Sequence, residues 1–252
     1  MRSFVKRAEL AWQNFAFRRW QKKNPGASFK QYFAEGIKDR LDDGKTRASL
    51  GATLKGEGFG ELGKRNFELL LCGTYGLKPD DVCVDYGCGT LRMGVHVIKY
   101  LAPGHYVGMD IDQAMLDQGA KLIGPELMAA KRPELAVISP ASVAAAAAKK
   151  PSLLFSLKVL IHVYPAEIEE YFGNILAIIG SSGKGLVTGK WSPGETFQTA
   201  KKSWAHSLPA MQAIVARKGG KLTVAQEEDY AFQDLGETGK AGRLEITRVV
   251  SA

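Results

Sequence analysis

The residues best suited to chemistry concentrate in one short run, Asp85-Tyr86-Gly87-Cys88-Gly89-Thr90. The run follows Val82-Cys83-Val84, which reads as a buried strand, and precedes Leu91 to Tyr100, which suit a helix. Gly87 and Gly89 permit a tight turn and let a ligand come close to the backbone. A second strand, Tyr106 to Asp110, ends in another acid, whose carboxylate can accept two hydroxyl hydrogen bonds from a ribose. Turn glycines alone are common and prove little. The ordered set of strand, Asp-x-Gly-x-Gly, helix, strand and acid is far more specific, because open parallel sheets bind ligands beyond the C-terminal ends of their strands.

The details select the nucleotide. A dinucleotide fingerprint needs Gly-x-Gly-x-x-Gly to make room for pyrophosphate. Here Leu91, Arg92 and Met93 follow Thr90, and Asp85 brings an anion to the same region. An acid is unfavourable beside pyrophosphate and favourable beside an ammonium or sulfonium. That points away from NAD and towards S-adenosyl-L-methionine.

On these residues the sequence resembles the class I, Rossmann-like, S-adenosylmethionine-dependent methyltransferases. The matching blocks are VCVDYGCGTLRMG at residues 82–94 and HYVGMDIDQAML at residues 105–116, and the likeness runs over roughly residues 60–190. The resemblance implies that Asp85, Gly87, Cys88 and Gly89 lie along the amino-acid end of the cofactor. It implies that Asp110 binds the ribose hydroxyls, with Ile111, Asp112 and Gln113 on the ribose or adenine side. Met115 is either an adenine wall or a helix core residue. Two positions depart from the family pattern. After the third strand, Ile138-Ser139-Pro140-Ala141-Ser142 offers no acid for the adenine amino group, leaving Ser139, Ser142 or a carbonyl. At the fourth strand, Leu154-Phe155-Ser156 lacks the carboxylate of the usual Phe-Asp pair.

Methyl transfer from a sulfonium depends chiefly on proximity and alignment, and a base is needed only when the acceptor must lose a proton. His162, in Val159-Leu160-Ile161-His162-Val163-Tyr164, is the base candidate; its alternative role is to brace the loop. Tyr164 is a candidate to hydrogen-bond or wall the acceptor. Lys190 and Trp191 are expected on a substrate-facing loop, and Trp204 and His206 in an insertion that forms either a lid or an ordinary helix. No compact metal-ligand spacing occurs, so no metal is expected.

Strands alternating with helices must position these residues. Candidate strands are residues 82–86, 106–110, 136–138, 153–159 and 185–189, with helices near 91–100, 113–123 and 165–179. Two alternating C-terminal segments, Lys221 to Gln226 and Arg243 to Val250, suggest an antiparallel pair joined by a long polar loop. The expected fold is α/β: an open, doubly wound, mostly parallel seven-stranded sheet with an antiparallel C-terminal strand and an N-terminal helical cap. The boundary is placed between a cap at residues 1–60 and the cofactor-binding domain at residues 61–252.

The chain has 252 residues, 45% of them hydrophobic, which suits a sizeable core. Its formal charge is +8, from 34 basic and 26 acidic side chains. Residues 1–78 hold 16 basic and 8 acidic groups, and the rest hold 18 of each, so the excess belongs to the N-terminal third. Cys72, Cys83 and Cys88 are too few and too unevenly spaced for a disulfide scaffold. With no secretory pattern visible, the expected location is cytoplasmic. Helices are expected at residues 1–24, Ser28 to Leu41 and Glu61 to Cys72, with a Gly-rich connection from Gly51 to Gly60. In the first, Phe4, Ala8, Trp12, Phe15, Phe17 and Trp20 form an apolar face opposite Lys6, Arg7, Arg18, Arg19, Lys22 and Lys23. That helix packs on the sheet, touches an anionic membrane, or contacts nucleic acid, in descending order of support. The expected function is methyl transfer to an O or N atom of a small or lipid-like molecule. An RNA or protein methyltransferase and a non-catalytic cofactor-binding module are the alternatives.

Overall fold

The computed structural model describes residues 15–42, 61–200, 202–232, 235 and 237–249. The expectations for Phe4, Ala8 and Trp12, for Lys6 and Arg7, and for the connection from Gly51 to Gly60 lie outside the described residues. Two helices come first, α1 (15–23) and α2 (Phe29–Asp42). Then follow α3 (Glu61–Asn66), which widens into π-helical turns over Phe67–Thr74, β1 (Cys83–Tyr86), α4 (Gly94–Tyr100), β2 (Tyr106–Asp110), α5 (Gln113–Ile123) and α6 (Pro125–Lys131). Next are β3 (Glu134–Val137), α7 (Pro140–Ala148), β4 (Leu153–Leu157), α8 (Ile168–Ile179) and β5 (Lys184–Ser192). The chain ends in β6 (Phe197–Ala200), β7 (Ser203–Ser207), α9 (Leu208–Arg217), β8 (Gly220–Phe232) and β9 (Glu237–Arg248). The strand order is β3-β2-β1-β4-β5-β7-β6, with β9 pairing both β5 and β8. This is the open, mostly parallel α/β architecture. Among the described residues no helix is long and apolar enough to cross a membrane.

The chain divides into two compact units. The first comprises residues 36–156 and 177–185. Its strands run parallel: β1 pairs with β2 on one side and β4 on the other, and β3 pairs with β2. Every residue of β1 and β2 is buried, as expected for strands covered on both faces, and this explains their unbroken apolar runs in the sequence. The helices between them start where their sequences dictate. Asp112 caps α5 by accepting from Ala114 N–H at 3.0 Å. Gly124, at φ 91°, ends that helix, and Pro125 opens α6. Ser139 and Ser142 form a reciprocal capping box at α7, with Pro140 in the first turn.

The second unit comprises residues up to 35, residues 157–176 and residues from 186 onward. Here β5 pairs in parallel with β7, and β6 and β7 are antiparallel. An aromatic cluster forms its core near the N-terminus. Phe17, Phe29 and Trp204 are buried, and Trp20, Tyr32, Phe33 and Tyr164 pack on them. Each such buried side chain contributes roughly 1.5–3 kcal/mol. Trp20 also donates its indole N–H to Glu35 at 2.7 Å. The carboxylate of Glu167 accepts the N–H groups of Phe29 and Lys30 at 2.7 and 3.3 Å, which caps the start of α2.

Three expectations are corrected here. Lys190 and Trp191 lie within β5, not on a loop, and Trp191 is fully buried. Trp204 and His206 belong to β7, neither a lid nor a helix. Residues Trp204 to His206 are all buried, as in a strand covered on both faces, and so show no alternation. The C-terminal pair is joined by a short connection, because both strands continue to the register Phe232↔Glu237. A cross-strand bond from Lys240 to Asp229 at 2.8 Å lies in the stretch that had read as loop.

Candidate functional site

The first unit assembles the sequence-predicted cofactor residues around the ends of β1 and β2. The N–H groups of Gly87 and Cys88 both donate to the Met109 carbonyl, at 2.7 and 3.0 Å. Gly87 and Gly89 have φ of 86° and 55°, a conformation that costs glycine nothing. Gly89 N–H donates to Asp110 Oδ2 at 2.8 Å. Asp110 Oδ1 accepts from Ile111 N–H at 2.8 Å and Asp112 N–H at 3.3 Å. One carboxylate therefore ties the glycine loop to the turn that opens α5. Burial raises the Asp110 carboxyl to about 6, with the three backbone donors pulling it down. Oδ1 is filled by its two donors, and Oδ2 keeps one acceptor site for a further donor.

Met115 is half-buried, and a Cβ on Gly89 would lie 3.5 Å from its terminal methyl. The buried positions of that helix are instead Leu116 and Gly119. Of the two open roles for Met115, the geometry favours a wall over the loop. Ser139 and Ser142 spend their hydroxyls on the α7 cap and on the Val137 carbonyl, 2.7 Å from Ser142 Oγ.

Asp85 is 4% exposed and accepts from the Tyr106 hydroxyl at 2.8 Å. Burial pushes its carboxyl up to about 8; the Tyr106 hydrogen bond opposes this, and the charge of Asp110 adds to it. Burial and the Asp85 charge push the Tyr106 phenol well up, so its hydroxyl stays protonated and can donate to the charged form of Asp85. A Cβ on Gly94 would come within 2.4 Å of the Tyr106 oxygen, and one on Gly108 within 3.0 Å of its ring. Two glycines thus make room for a phenol whose hydroxyl holds Asp85. Burial also pushes the Cys88 thiol well up, which keeps it protonated and unsuited to nucleophilic attack.

Sequence reasoning missed Tyr106, Thr90 and Leu91. The register Cys83↔Tyr106 places that phenol two residues before Asp85 on the neighbouring strand, a relation visible only once the strands are paired. Leu91 is fully buried at φ 63°, a strained conformation for a side chain, and Gly119 clears space for it. Among the described residues, the buried Thr90 Oγ1 and Asp112 Oδ2 have no hydrogen-bond partner. These two orphaned atoms, with the remaining acceptor site of Asp110, are suited to a polar ligand bearing hydroxyl or ammonium groups.

His162 and Tyr164 belong to the second unit, in the segment that follows β4. His162 Nδ1 lies 2.8 Å from the Lys202 carbonyl, which can only accept, so that nitrogen carries the proton. The lone pair is left on Nε2. Burial lowers the His162 pKa, which keeps the ring neutral near pH 7. His206 is bound through Nε2 to the Val163 carbonyl at 3.0 Å, and burial lowers it to about 4. It is a brace for the segment carrying His162. Tyr164 stacks on Phe29 at 4.9 Å and 14°, with Trp204 edge-on at 83°.

No protein-family model matches the chain, and no curated protein matches it. Solved structures do. A geranyl diphosphate C-methyltransferase from Streptomyces coelicolor A3(2), solved with Mg2+, geranyl diphosphate and S-adenosyl-L-homocysteine, superposes with a TM-score of 0.59 at 14% identity. The match covers 90% of this chain and 99% of that one. The magnesium protoporphyrin IX methyltransferase from Synechocystis PCC 6803, with bound S-adenosylhomocysteine, gives 0.55 at 16% identity, over 88% of this chain and 100% of that one. The chain has the fold of the class I S-adenosylmethionine-dependent methyltransferases.

Proposed function

We propose that the protein is an S-adenosylmethionine-dependent methyltransferase acting on an O or N atom of a small or lipid-like molecule. The observation that carries this reading is the Asp110 carboxylate, which binds Gly89, Ile111 and Asp112 while keeping one acceptor site, on Oδ2, for a ribose hydroxyl. Asp110 accepts from that ribose hydroxyl, and Asp85 balances the positive amino-acid end. Gly87, Cys88 and Gly89 bring backbone alongside the ligand, and Ile111 and Met115 flank the adenine. The bound cofactor would supply an electrophilic methyl group on a positively charged sulfur. The chain's own residues orient that group, exclude water and, where the acceptor carries a proton, receive it. His162, neutral with its lone pair on Nε2, is the proposed base, and Tyr164 is a wall of the acceptor site. The small or lipid-like acceptor class is supported by the geranyl diphosphate and magnesium protoporphyrin IX that the structural neighbours act on.

Residues 1–60 form the proposed cap of a domain spanning 61–252. The apolar side of α1 is used internally through Phe17 and Trp20, which supports packing over attachment to a membrane. Anionic liposomes that retain the protein equally with and without residues 1–24 would agree with that; capture lost on deletion would establish membrane contact.

The direct test is calorimetry with S-adenosylmethionine, followed by a labelled-methyl screen of small molecules, lipids, RNA and proteins. Cofactor binding without transfer to any fraction would favour the non-catalytic module. Two substitutions probe individual roles. His162→Gln is expected to leave cofactor affinity within about twofold and to lower turnover by about 100-fold at neutral pH. Equal turnover in both proteins would make His162 a brace. Tyr106→Phe removes the hydroxyl that stabilises the charged form of Asp85, so cofactor affinity at pH 7 is expected to fall about tenfold. The loss should shrink as pH rises, because higher pH ionises Asp85 without the hydroxyl's help; a pH-independent loss would mean that Tyr106 acts only through packing.

A further inference from the structure

The second unit contains an open cavity of about 280 Å³, lined by Phe17 and Arg18 of α1, Tyr164 and Pro165 after β4, Phe197 of β6 and Trp204 of β7. We infer that this cavity is a ligand site and that it takes a small molecule with a flat or unsaturated apolar body and an anionic group. The site and its ligand chemistry stand apart from the methyltransferase reading.

The walls argue for the body. Tyr164 is held by its stack on Phe29, and Phe17 meets it at 5.5 Å and 63°. Trp204 stands edge-on to both Phe29 and Tyr164. The rings are thus fixed before any ligand arrives, and a surface of ring faces and edges favours conjugated or prenyl-like groups over bulky saturated ones. The volume lies just below the roughly 300–1,000 Å³ of small-molecule pockets, which suits a ring pair or short chain.

The charges argue for the anion. Arg18 is exposed and offers a guanidinium that can grip carboxylate, sulfonate or phosphate through two hydrogen bonds. Helix α1 also carries exposed Arg19, Lys22 and Lys23 and has no acid between residues 15 and 23. Of the nearby acids, Glu35 accepts from Trp20 and Glu167 from the start of α2, while Glu195, next to the lining residue Thr196, is exposed to solvent. None of the lining residues is acidic. The local field therefore favours a negative ligand.

The test uses two fluorescent probes of one shape, 8-anilinonaphthalene-1-sulfonate and the uncharged N-phenyl-1-naphthylamine, titrated into the full chain with saturating S-adenosylmethionine present. Energy transfer from tryptophan reports binding near Trp204. The sulfonate is expected to bind at one saturable site about tenfold more tightly than the neutral probe. Arg18→Gln should abolish that preference without altering the neutral probe, and Arg18→Lys should restore part of it. Arg18 is exposed, so neither change disturbs the core. Equal affinities for the two probes, or a sulfonate affinity unmoved by Arg18→Gln, would overturn the inference. Calorimetry on the same protein separates the claims. Cofactor binding with a failed probe test refutes the pocket alone, whereas a passed probe test without cofactor binding refutes the methyltransferase reading alone.

Discussion

Asp85→Asn is expected to stabilise the ligand-free protein while weakening its hold on S-adenosylmethionine, two effects of opposite sign from one atom's change. The carboxyl of Asp85 is raised from 3.8 to about 8 by burial, so the folded chain binds a proton there that the unfolded chain has released. Stability must then fall as pH rises from about 4 to about 8 and stay level above. At pH 7 the cost approaches about 4 kcal/mol. Asparagine carries no charge and can still accept from Tyr106. Its melting midpoint at pH 8 should exceed that of the wild type by on the order of 10 °C, and the gap should close towards pH 4. Affinity for the cofactor should fall by ten- to a hundredfold, the scale of a lost charge-assisted contact. A variant that loses stability at pH 8 would contradict the placement of Asp85 as a buried, strained acid.

Asp110→Ala should cost more affinity, by a route that can be separated from the first. One charge-assisted hydrogen bond from ribose to the remaining site on Oδ2, about 1.5–3 kcal/mol, amounts to a loss of about ten- to a hundredfold before the loop is counted. The substitution also strips the acceptor from Gly89, Ile111 and Asp112 N–H, so the loop loses its tie to α5. The probe that separates the two acids is 5′-methylthioadenosine, which keeps the ribose and adenine and lacks the amino-acid end. Asp110→Ala should weaken both ligands alike; Asp85→Asn should weaken S-adenosylmethionine and spare the truncated molecule. The opposite pattern would exchange the two roles.

The contrast between these acids marks how far sequence carried the site. Asp85, the two glycines and Asp110 were legible because a turn and a strand end have local signatures, and strand β2 and helix α5 begin and end where those signatures put them. Tyr106 was not, because its meaning arises from the pairing of β1 with β2 and from the room that Gly94 and Gly108 leave. The same limit explains the C-terminal third. Trp204 and His206 gave no strand signal because β7 is covered on both faces, and its polar residues find partners only after folding. His206 is one, bonded to the Val163 carbonyl. The extension of β8 and β9 through Glu227, Glu228 and Asp229 was hidden for the opposite reason: an exposed ribbon can be strongly polar, and polar runs read as loops. The charge excess resolved differently. Where α1 is described, Phe17 and Trp20 serve a packed cluster, Phe15 of the expected apolar face is exposed, and the basic residues stay at the surface.

The most direct measurement is titration calorimetry of the full chain with S-adenosylmethionine at pH 7, in buffers of different ionisation enthalpy. Binding is expected at a single site with release of about one proton, since the ammonium end of the ligand draws Asp85 into its charged form. In Asp85→Asn the affinity should be lower and that proton absent. A folded wild-type protein that shows no binding, or binding with equal proton release in both proteins, would contradict the account.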